Sequence, residues 1–175
     1  MRYAAFLRGV NVGRNHRVSS AELKSLFEEL GAEDVATFRT SGNVVFEAPR
    51  DMAKAIEKQL EASLGYEVAV FLRTAKELQA IAAERPFPAK QVEASEGKLQ
   101  VSMLAQAPPA AMRKKALALA TDQDRLAFGK RELYWLPSGG TLESELDRAA
   151  LDKLLGQTTM RTKGTVELMA AKYFS

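Results

Sequence analysis

Residues 6–23, which read FLRGVNVGRNHRVSSAEL, concentrate the polar chemistry of this chain in one short segment. They include two glycines, two asparagines, three arginines and the only histidine of the sequence. Guanidinium groups pair with phosphate or carboxylate in a bidentate geometry, and asparagines donate or accept hydrogen bonds. Glycines let the backbone come close to a ligand. These residue types together predict an anion-binding loop, whose candidate residues are Arg8, Gly9, Asn11, Gly13, Arg14, Asn15 and Arg17.

The start of a helix adds to this prediction. Ser19 and Glu22 form an S-x-x-E capping box, so a helix is expected to begin near Ser19. The free amides and partial positive charge at a helix N-terminus favour phosphate or carboxylate. A purely structural interpretation stays open, because any tight loop uses Gly and Asn, and capping alone explains Ser19. The segment RGVNVG matches neither the P-loop nor the dinucleotide-binding pattern.

Charge is distributed unevenly along the chain. The formal net charge is +3, yet the first 21 residues contain four arginines and no acid, so the other 154 residues sum to −1. The positive excess therefore lies in and beside the opening loop. A merely solvated set of arginines is the alternative, since surface charge commonly serves solubility.

The hydrophobic pattern predicts the elements that position this loop. Tyr3–Leu7 is an apolar strand, and a helix with an apolar stripe follows and stops at Gly31. Two strand-like runs then flank the turn Ser41-Gly42, as in a hairpin. A helix over 51–64 and an apolar strand over 68–72 complete the order β-α-β-β-α-β. This order predicts an α+β fold with a ferredoxin-like first half at residues 1–73.

The rest of the chain is predicted to form a connection and a second, smaller α+β subdomain. A capping box from Thr74 to Glu77 opens a connecting helix, and residues 85–97 read as a long loop, which together span 74–97. Residues 98–175 repeat much of the earlier element order, with a second hairpin across 129–131. Trp135 and Phe128 are expected in its core, and Asp124 in a turn.

Strand direction brings more residues into the predicted site. In a ferredoxin-like unit the first and second strands run the same way, with the third strand antiparallel between them. The opening loop and the turn at 40–43 are therefore expected at one edge of the sheet, which adds Ser41 and Asn43 to the candidates. The connection at 65–67 is expected to reach the same edge.

Composition excludes several kinds of chemistry. The absence of Cys removes thiol nucleophiles, disulfides and thiolate metal sites, and a single His argues against a zinc centre. No metal or cofactor is therefore predicted. No apolar run approaches the roughly 18 residues of a membrane span, and the first residues lack a signal peptide core. We expect a soluble cytoplasmic protein that does not bind membranes.

The segment FLRGVNVG, the helix that follows it and the hairpin TSGNVVFE resemble the bacterial domain-of-unknown-function family numbered 1697. The resemblance implies an α+β fold and supplies no activity, substrate or cofactor. Its signature falls on Arg8, Gly9, Asn11, Val12 and Gly13, and on Ser41, Gly42 and Asn43. Near the C-terminus the family's T-T-R-N-W-N-T-V aligns with TTMRTKGTV, which adds Arg161 as a candidate. Thr162, Lys163 and Gly164 replace its Asn-Trp-Asn part.

Three function classes remain open at this stage. The first is a binding module for a phosphate-bearing ligand, a nucleotide or nucleic acid. RNA recognition needs exposed aromatics for base stacking, and the strand aromatics, Phe38 among them, are expected in the core. The second is a metal-independent enzyme acting on a phosphorylated small molecule. The third is a protein-interaction module without a small-molecule ligand.

Overall fold

The structure is a computed structural model that describes residues 1–10, 18–39 and 42–175. The chain divides into two compact units, one formed by Met1–Ala80 with Met169–Ser175 and the other by Ile81–Leu168. Each unit contains a four-stranded antiparallel sheet with helices, which confirms the predicted α+β class. Within the described ranges, no helix is both long and apolar enough to cross a membrane.

The first unit follows the predicted β-α-β-β-α-β order. Its elements are β1 (Arg2–Leu7), α1 (Ser20–Glu29), β2 (Glu33–Thr37), β3 (Asn43–Glu47), α2 (Ala53–Leu64) and β4 (Val70–Thr74). The strands are arranged β2-β3-β1-β4 and every pair is antiparallel. The predicted hairpin is present, since Thr37 of β2 pairs with Val44 of β3. The last strand begins two residues later than its apolar run indicated.

Apolar spacing explains how α1 and α2 cover one face of this sheet. Leu23 and Phe27 of α1 and Ile56 and Leu60 of α2 are buried in the same cluster as alternate residues of β1 and β3. The ring of Phe46 lies 5.2 Å from that of Phe27 in an edge-to-face contact. These two helices and this face of the sheet form an apolar core of the first unit.

The second unit repeats the topology of the first. The remaining elements of the chain are α3 (Ala75–Ala83), α4 (Ala89–Ala94), β5 (Gln100–Leu104), α5 (Ala110–Leu117), β6 (Asp124–Phe128), β7 (Glu132–Pro137), α6 (Arg148–Leu155), β8 (Thr158–Thr162) and α7 (Lys163–Tyr173). The strands are arranged β6-β7-β5-β8, which corresponds strand for strand to the order in the first unit. The repeated element order noted in the sequence is therefore a repeated fold.

Three details of the second half differ from expectation. Residues 85–97 include the short helix α4, whose start at Pro88 has no periodic apolar pattern after it. Trp135 is buried in the core as predicted, whereas Phe128 is half-buried and packs against that core. Asp124 is not a solvated turn residue, because it is 2% exposed and its carboxylate accepts hydrogen bonds from Trp135 Nε1 (2.9 Å) and Ser144 Oγ (2.6 Å).

Candidate functional site

The end of β1 lies between two connections of the first unit. The amide of Leu7 donates to the carbonyl oxygen of Gly42 in the hairpin turn (2.9 Å). The next amide, that of Arg8, donates to the carbonyl oxygen of Ala69 in the connection between α2 and β4 (2.9 Å). These bonds bring together the three segments that strand direction placed at one edge. We call residues 7–10, Gly42, Asn43 and Ala69 the strand-end cluster.

Gly42 allows this close approach in two ways. Its φ is +76°, a left-handed conformation that side chains other than glycine adopt only at a cost. A Cβ at this position would lie 3.1 Å from Leu7 Cβ and 3.3 Å from Leu7 O, closer than ordinary van der Waals contact. The glycine of the S-G-N segment is therefore required by sterics as well as by backbone conformation.

The opening loop is anchored where its described parts end. Gly9 is exposed with φ +78° and open space around its α-carbon, whereas Val10 and Val18 are buried in the core of the first unit. Arg8 is half-buried. Six of the predicted site residues lie outside the described residues, namely Asn11, Gly13, Arg14, Asn15, Arg17 and Ser41.

The start of α1 is already occupied by its own carboxylate. Ser19 Oγ accepts a hydrogen bond from the amide of Glu22 (3.0 Å), and Glu22 Oε2 accepts one from the amide of Ser19 (3.3 Å). This is the predicted capping box. It satisfies two helix-terminal amides and sets a negative charge against the positive end of the helix dipole. An anion at this position would compete with Glu22, so arginines and loop amides have to supply most of the attraction.

Asn43 supports the turn from inside. Asn43 is only 1% exposed, and its side-chain Nδ2 donates to the carbonyl oxygen of Phe38 (2.9 Å). The backbone closes the same loop, because the amide of Phe38 donates to the carbonyl oxygen of Asn43 (2.9 Å). The structure thus places this predicted site residue in the hairpin interior, where it holds the chain on both sides of the turn.

Arg39 is a residue of this region that the sequence analysis missed. It is exposed, and its φ of +60° is left-handed, which costs a residue with a Cβ about 1–2 kcal/mol. Its guanidinium carbon lies 5.4 Å from the centroid of the Phe38 ring. The signal was present in the segment F-R-T-S-G-N, where an arginine directly precedes the turn. Phe38 itself lies beyond the end of β2 and is half-buried, so its expected place in the core was wrong.

Arg2 does not contribute its charge to this end of the sheet. It stands at the start of β1, where Nη1 donates to Asp34 Oδ2 (2.7 Å) and to Glu47 Oε1 (3.1 Å). The hydrogen bond with Asp34 is the main cause that raises the pKa of Arg2. One of the four arginines in the N-terminal excess is therefore neutralised locally, while Arg39 adds a charge beside the turn.

Arg161 lies on β8 in the second unit. Its Nη1 donates to Thr159 Oγ1 (2.7 Å) and to the carbonyl oxygen of Met160 (2.9 Å). Burial lowers the pKa of Arg161 to about 10. The guanidinium remains protonated at neutral pH, and hydrogen bonds with its own strand hold it.

The segment in which this chain departs from the family's C-terminal pattern begins a helix. Thr162 Oγ1 accepts a hydrogen bond from the amide of Thr165 (3.2 Å) and so caps the start of α7. The ammonium of Lys163 is buried, and it donates to the carbonyl oxygen of Ala82 (2.9 Å) and to Glu167 Oε1 (3.0 Å).

Among the residues the structure describes, no three His, Cys, Asp or Glu side chains are grouped closely enough to hold a metal ion.

The fold and the strand-end cluster define a two-unit α+β protein in which each unit has the same antiparallel topology. The model of the family described as a protein of unknown function, DUF1697, matches residues 1–134. The chain belongs to this family, as its opening motif indicated. No curated protein sequence matches it.

A solved structure is similar over nearly the whole chain. The conserved bacterial protein SP0830 from Streptococcus pneumoniae superposes with a TM-score of 0.64 and covers 97% of each chain at 20% sequence identity. At that identity the similarity extends to the fold alone. The fold of this chain is therefore similar to that of a conserved bacterial protein.

Proposed function

We propose that this protein is a binding module for a phosphate-bearing ligand and that the ligand binds at the strand-end cluster. The observation that carries the proposal is the pair of hydrogen bonds by which β1 ends against both the hairpin turn and the α2–β4 connection. An arginine-rich loop leaves the sheet at that point. Its residues that would contact the ligand are Arg8, Gly9, Asn11, Gly13, Arg14, Asn15 and Arg17, together with Ser41 of the turn.

Each group has a distinct role in this proposal. Arg8, Arg14 and Arg17 supply bidentate donors to phosphate oxygens, and Arg39 adds positive potential beside the turn. Gly9 supports close backbone approach, because its α-carbon is exposed and has open space around it. Asn43 acts indirectly by holding the hairpin. Glu22 opposes the anion and keeps the affinity moderate.

Salt dependence follows from this electrostatic origin. The Debye length is about 8 Å at physiological ionic strength, so contacts from exposed arginines weaken as salt is added. Each ionic contact with phosphate adds to the salt dependence of binding. We therefore expect affinity to fall with ionic strength, and to fall less steeply for a variant that has lost two of the arginines.

The experiment is a titration of the wild-type protein and an Arg8→Ala, Arg14→Ala double variant. The probes are inorganic phosphate, a nucleoside triphosphate and a short single-stranded oligonucleotide. Loss of two cationic contacts is expected to weaken binding at least about tenfold, which corresponds to 1.4 kcal/mol. A matched control, Arg50→Ala with Arg125→Ala, removes the same charge from two exposed arginines outside the cluster and is expected to bind normally.

The melting temperature distinguishes a loss of ligand contacts from a loss of fold stability. It is expected to stay nearly constant in the Arg8, Arg14 variant, since arginine side chains seldom contribute to an apolar core. Equal affinity of that variant and the wild type rejects these arginines as ligand contacts. A large drop in melting temperature shows instead that Arg8, which is half-buried, anchors the loop.

A further inference from the structure

Two aromatic rings of the first unit lie outside its apolar core. The rings of Phe38 and Tyr173 meet edge to face, with centroids 6.1 Å apart and an interplanar angle of 88°. Both residues are half-buried, and neither is among the buried residues that α1 and α2 cover. We call this pair the aromatic platform.

A cation lies over each ring of the platform. The guanidinium carbon of Arg39 is 5.4 Å from the Phe38 centroid, and Lys172 Nζ is 5.3 Å from the Tyr173 centroid. Arg39 and Lys172 are both exposed. The result is a surface that combines two aromatic rings with two positive charges, and non-sequence-specific binders of single-stranded nucleic acid combine the same two features.

The backbone at Arg39 points to a role beyond packing. Its φ of +60° is unfavourable for a residue with a Cβ, yet the side chain is exposed and does not fill the core. Residues held in such conformations occur preferentially at binding and catalytic sites. Here the conformation accompanies a guanidinium that lies over an aromatic ring, and guanidinium planes also stack on bases.

The platform is continuous with the strand-end cluster. Phe38 exchanges two hydrogen bonds with Asn43, one through the backbone and one through the asparagine side chain. The neighbouring Gly42 accepts the hydrogen bond from Leu7 at the end of β1. One hairpin therefore carries the ring of Phe38 and the turn that meets the end of β1.

We propose that the aromatic platform stacks the bases of a single-stranded nucleic acid whose backbone phosphates bind the strand-end cluster. The phosphate part of this inference rests on the proposed function, whereas the base-stacking part is new. Single strands fit better than duplexes, because only unpaired bases present a face to an aromatic side chain. A strand fits better than a mononucleotide, because Arg39 and Lys172 offer cationic contacts at two different rings.

The test compares probes that differ only in their bases. Fluorescence anisotropy is measured with a labelled single-stranded oligonucleotide, with an abasic strand of the same length, with its duplex form and with a mononucleotide. Phe38→Leu and Tyr173→Leu are each expected to weaken binding of the base-bearing strand about tenfold, equivalent to 1.4 kcal/mol. Their effect on the abasic strand is expected to be less than twofold.

A matched control comes from the second unit. Phe128 is also half-buried, and the guanidinium carbon of Arg113 lies 5.3 Å from its ring centroid. Phe128→Leu removes an aromatic ring from a similar environment away from the platform and is expected to leave binding unchanged. Phe38→Trp, unlike Phe38→Leu, is expected to retain binding, since tryptophan keeps an aromatic face at this position.

Arg39→Gly keeps the test decisive if the leucine variants fold poorly. Glycine adopts a φ of +60° without strain, so this variant is expected to have a higher melting temperature. Its affinity for the base-bearing strand is expected to be severalfold lower. A purely structural role for Arg39 cannot give that combination. Unchanged binding in Arg39→Gly contradicts the proposal.

The outcomes also separate the two proposals. If the base-bearing and abasic strands bind equally and Phe38→Leu has no effect, the platform is not a stacking site. The proposed function survives that result if the Arg8, Arg14 variant still binds both strands more weakly. If only the mononucleotide binds, or no phosphate-bearing probe binds, the single-strand proposal is overturned, and the second result overturns the proposed function as well.

Discussion

Replacement of Gly42 by alanine tests the steric match between the hairpin turn and the end of β1. The left-handed φ of +76° costs a residue with a Cβ about 1–2 kcal/mol. The added Cβ would also lie 3.1 Å from Leu7 Cβ and 3.3 Å from Leu7 O, and relief of such overpacking costs about 1–3 kcal/mol. The free energy of unfolding is therefore expected to fall by about 2–5 kcal/mol.

Urea and thermal unfolding followed by far-UV circular dichroism measure this loss. For a chain of this length, each kcal/mol lowers the melting temperature by about 2–4 °C. A loss of about 3 kcal/mol then corresponds to roughly 6–12 °C. The change is expected to weaken ligand binding as well, because the carbonyl of residue 42 moves away from the amide of Leu7.

Gly65→Ala is the matched control. Gly65 has a φ of +82° at the end of α2, but a Cβ there would meet no heavy atom within 4 Å. This control isolates the conformational cost, about 1–2 kcal/mol. If Gly42→Ala and Gly65→Ala lower the free energy of unfolding by the same amount, the close contact with Leu7 costs nothing and the steric argument is wrong.

Three further predictions concern charge and buried polar groups. Glu22→Gln retains a side chain that can complete the capping box but removes the negative charge at the start of α1, so phosphate affinity is expected to rise about two- to fivefold in a titration. Asp124→Ala leaves Trp135 Nε1 without its acceptor and is expected to cost about 2–4 kcal/mol, measured by urea unfolding with red-shifted tryptophan emission. Burial lowers the pKa of Arg161 to about 10, so above that pH the unfolded chain binds more protons than the folded one. Wild-type stability is then expected to rise relative to Arg161→Gln between about pH 10 and pH 11.5, and parallel pH profiles in urea unfolding contradict this.

Local rules account for most of the fold. Capping residues at Ser19 and Thr74, the apolar stripes of α1 and α2 and the turn at Gly42 each predict an element that the structure contains. From these, strand direction correctly predicted that the end of β1 meets the hairpin turn and the α2–β4 connection. Such inferences succeed because periodicity and turn chemistry are encoded within a few neighbouring residues.

Features that depend on distant partners were not accessible in the same way. Asp is a residue type common in turns, and the sequence near Asp124 does not show that its carboxylate accepts hydrogen bonds from Trp135 and Ser144. Phe38 resembles a core aromatic because it follows an alternating strand, but its ring partner, Tyr173, lies 135 positions along the chain. The aromatic platform is therefore visible only in three dimensions, and the arginine-rich loop, defined by local composition, was visible from the sequence alone.

The contribution of Met169–Ser175 to the first unit affects how this protein emerges from the ribosome. Arg2 Nε donates to the carbonyl oxygen of Tyr173 (2.9 Å), and the ring of Phe174 is buried. Roughly ninety residues separate Ala80 from Met169, which at about 5–20 residues per second takes about 5–18 s to translate. During that interval the nascent first unit exposes surface that its final segment later covers. Chaperones therefore have a defined period in which to bind this surface. A stop codon before residue 169 would leave the first unit without the segment Met169–Ser175.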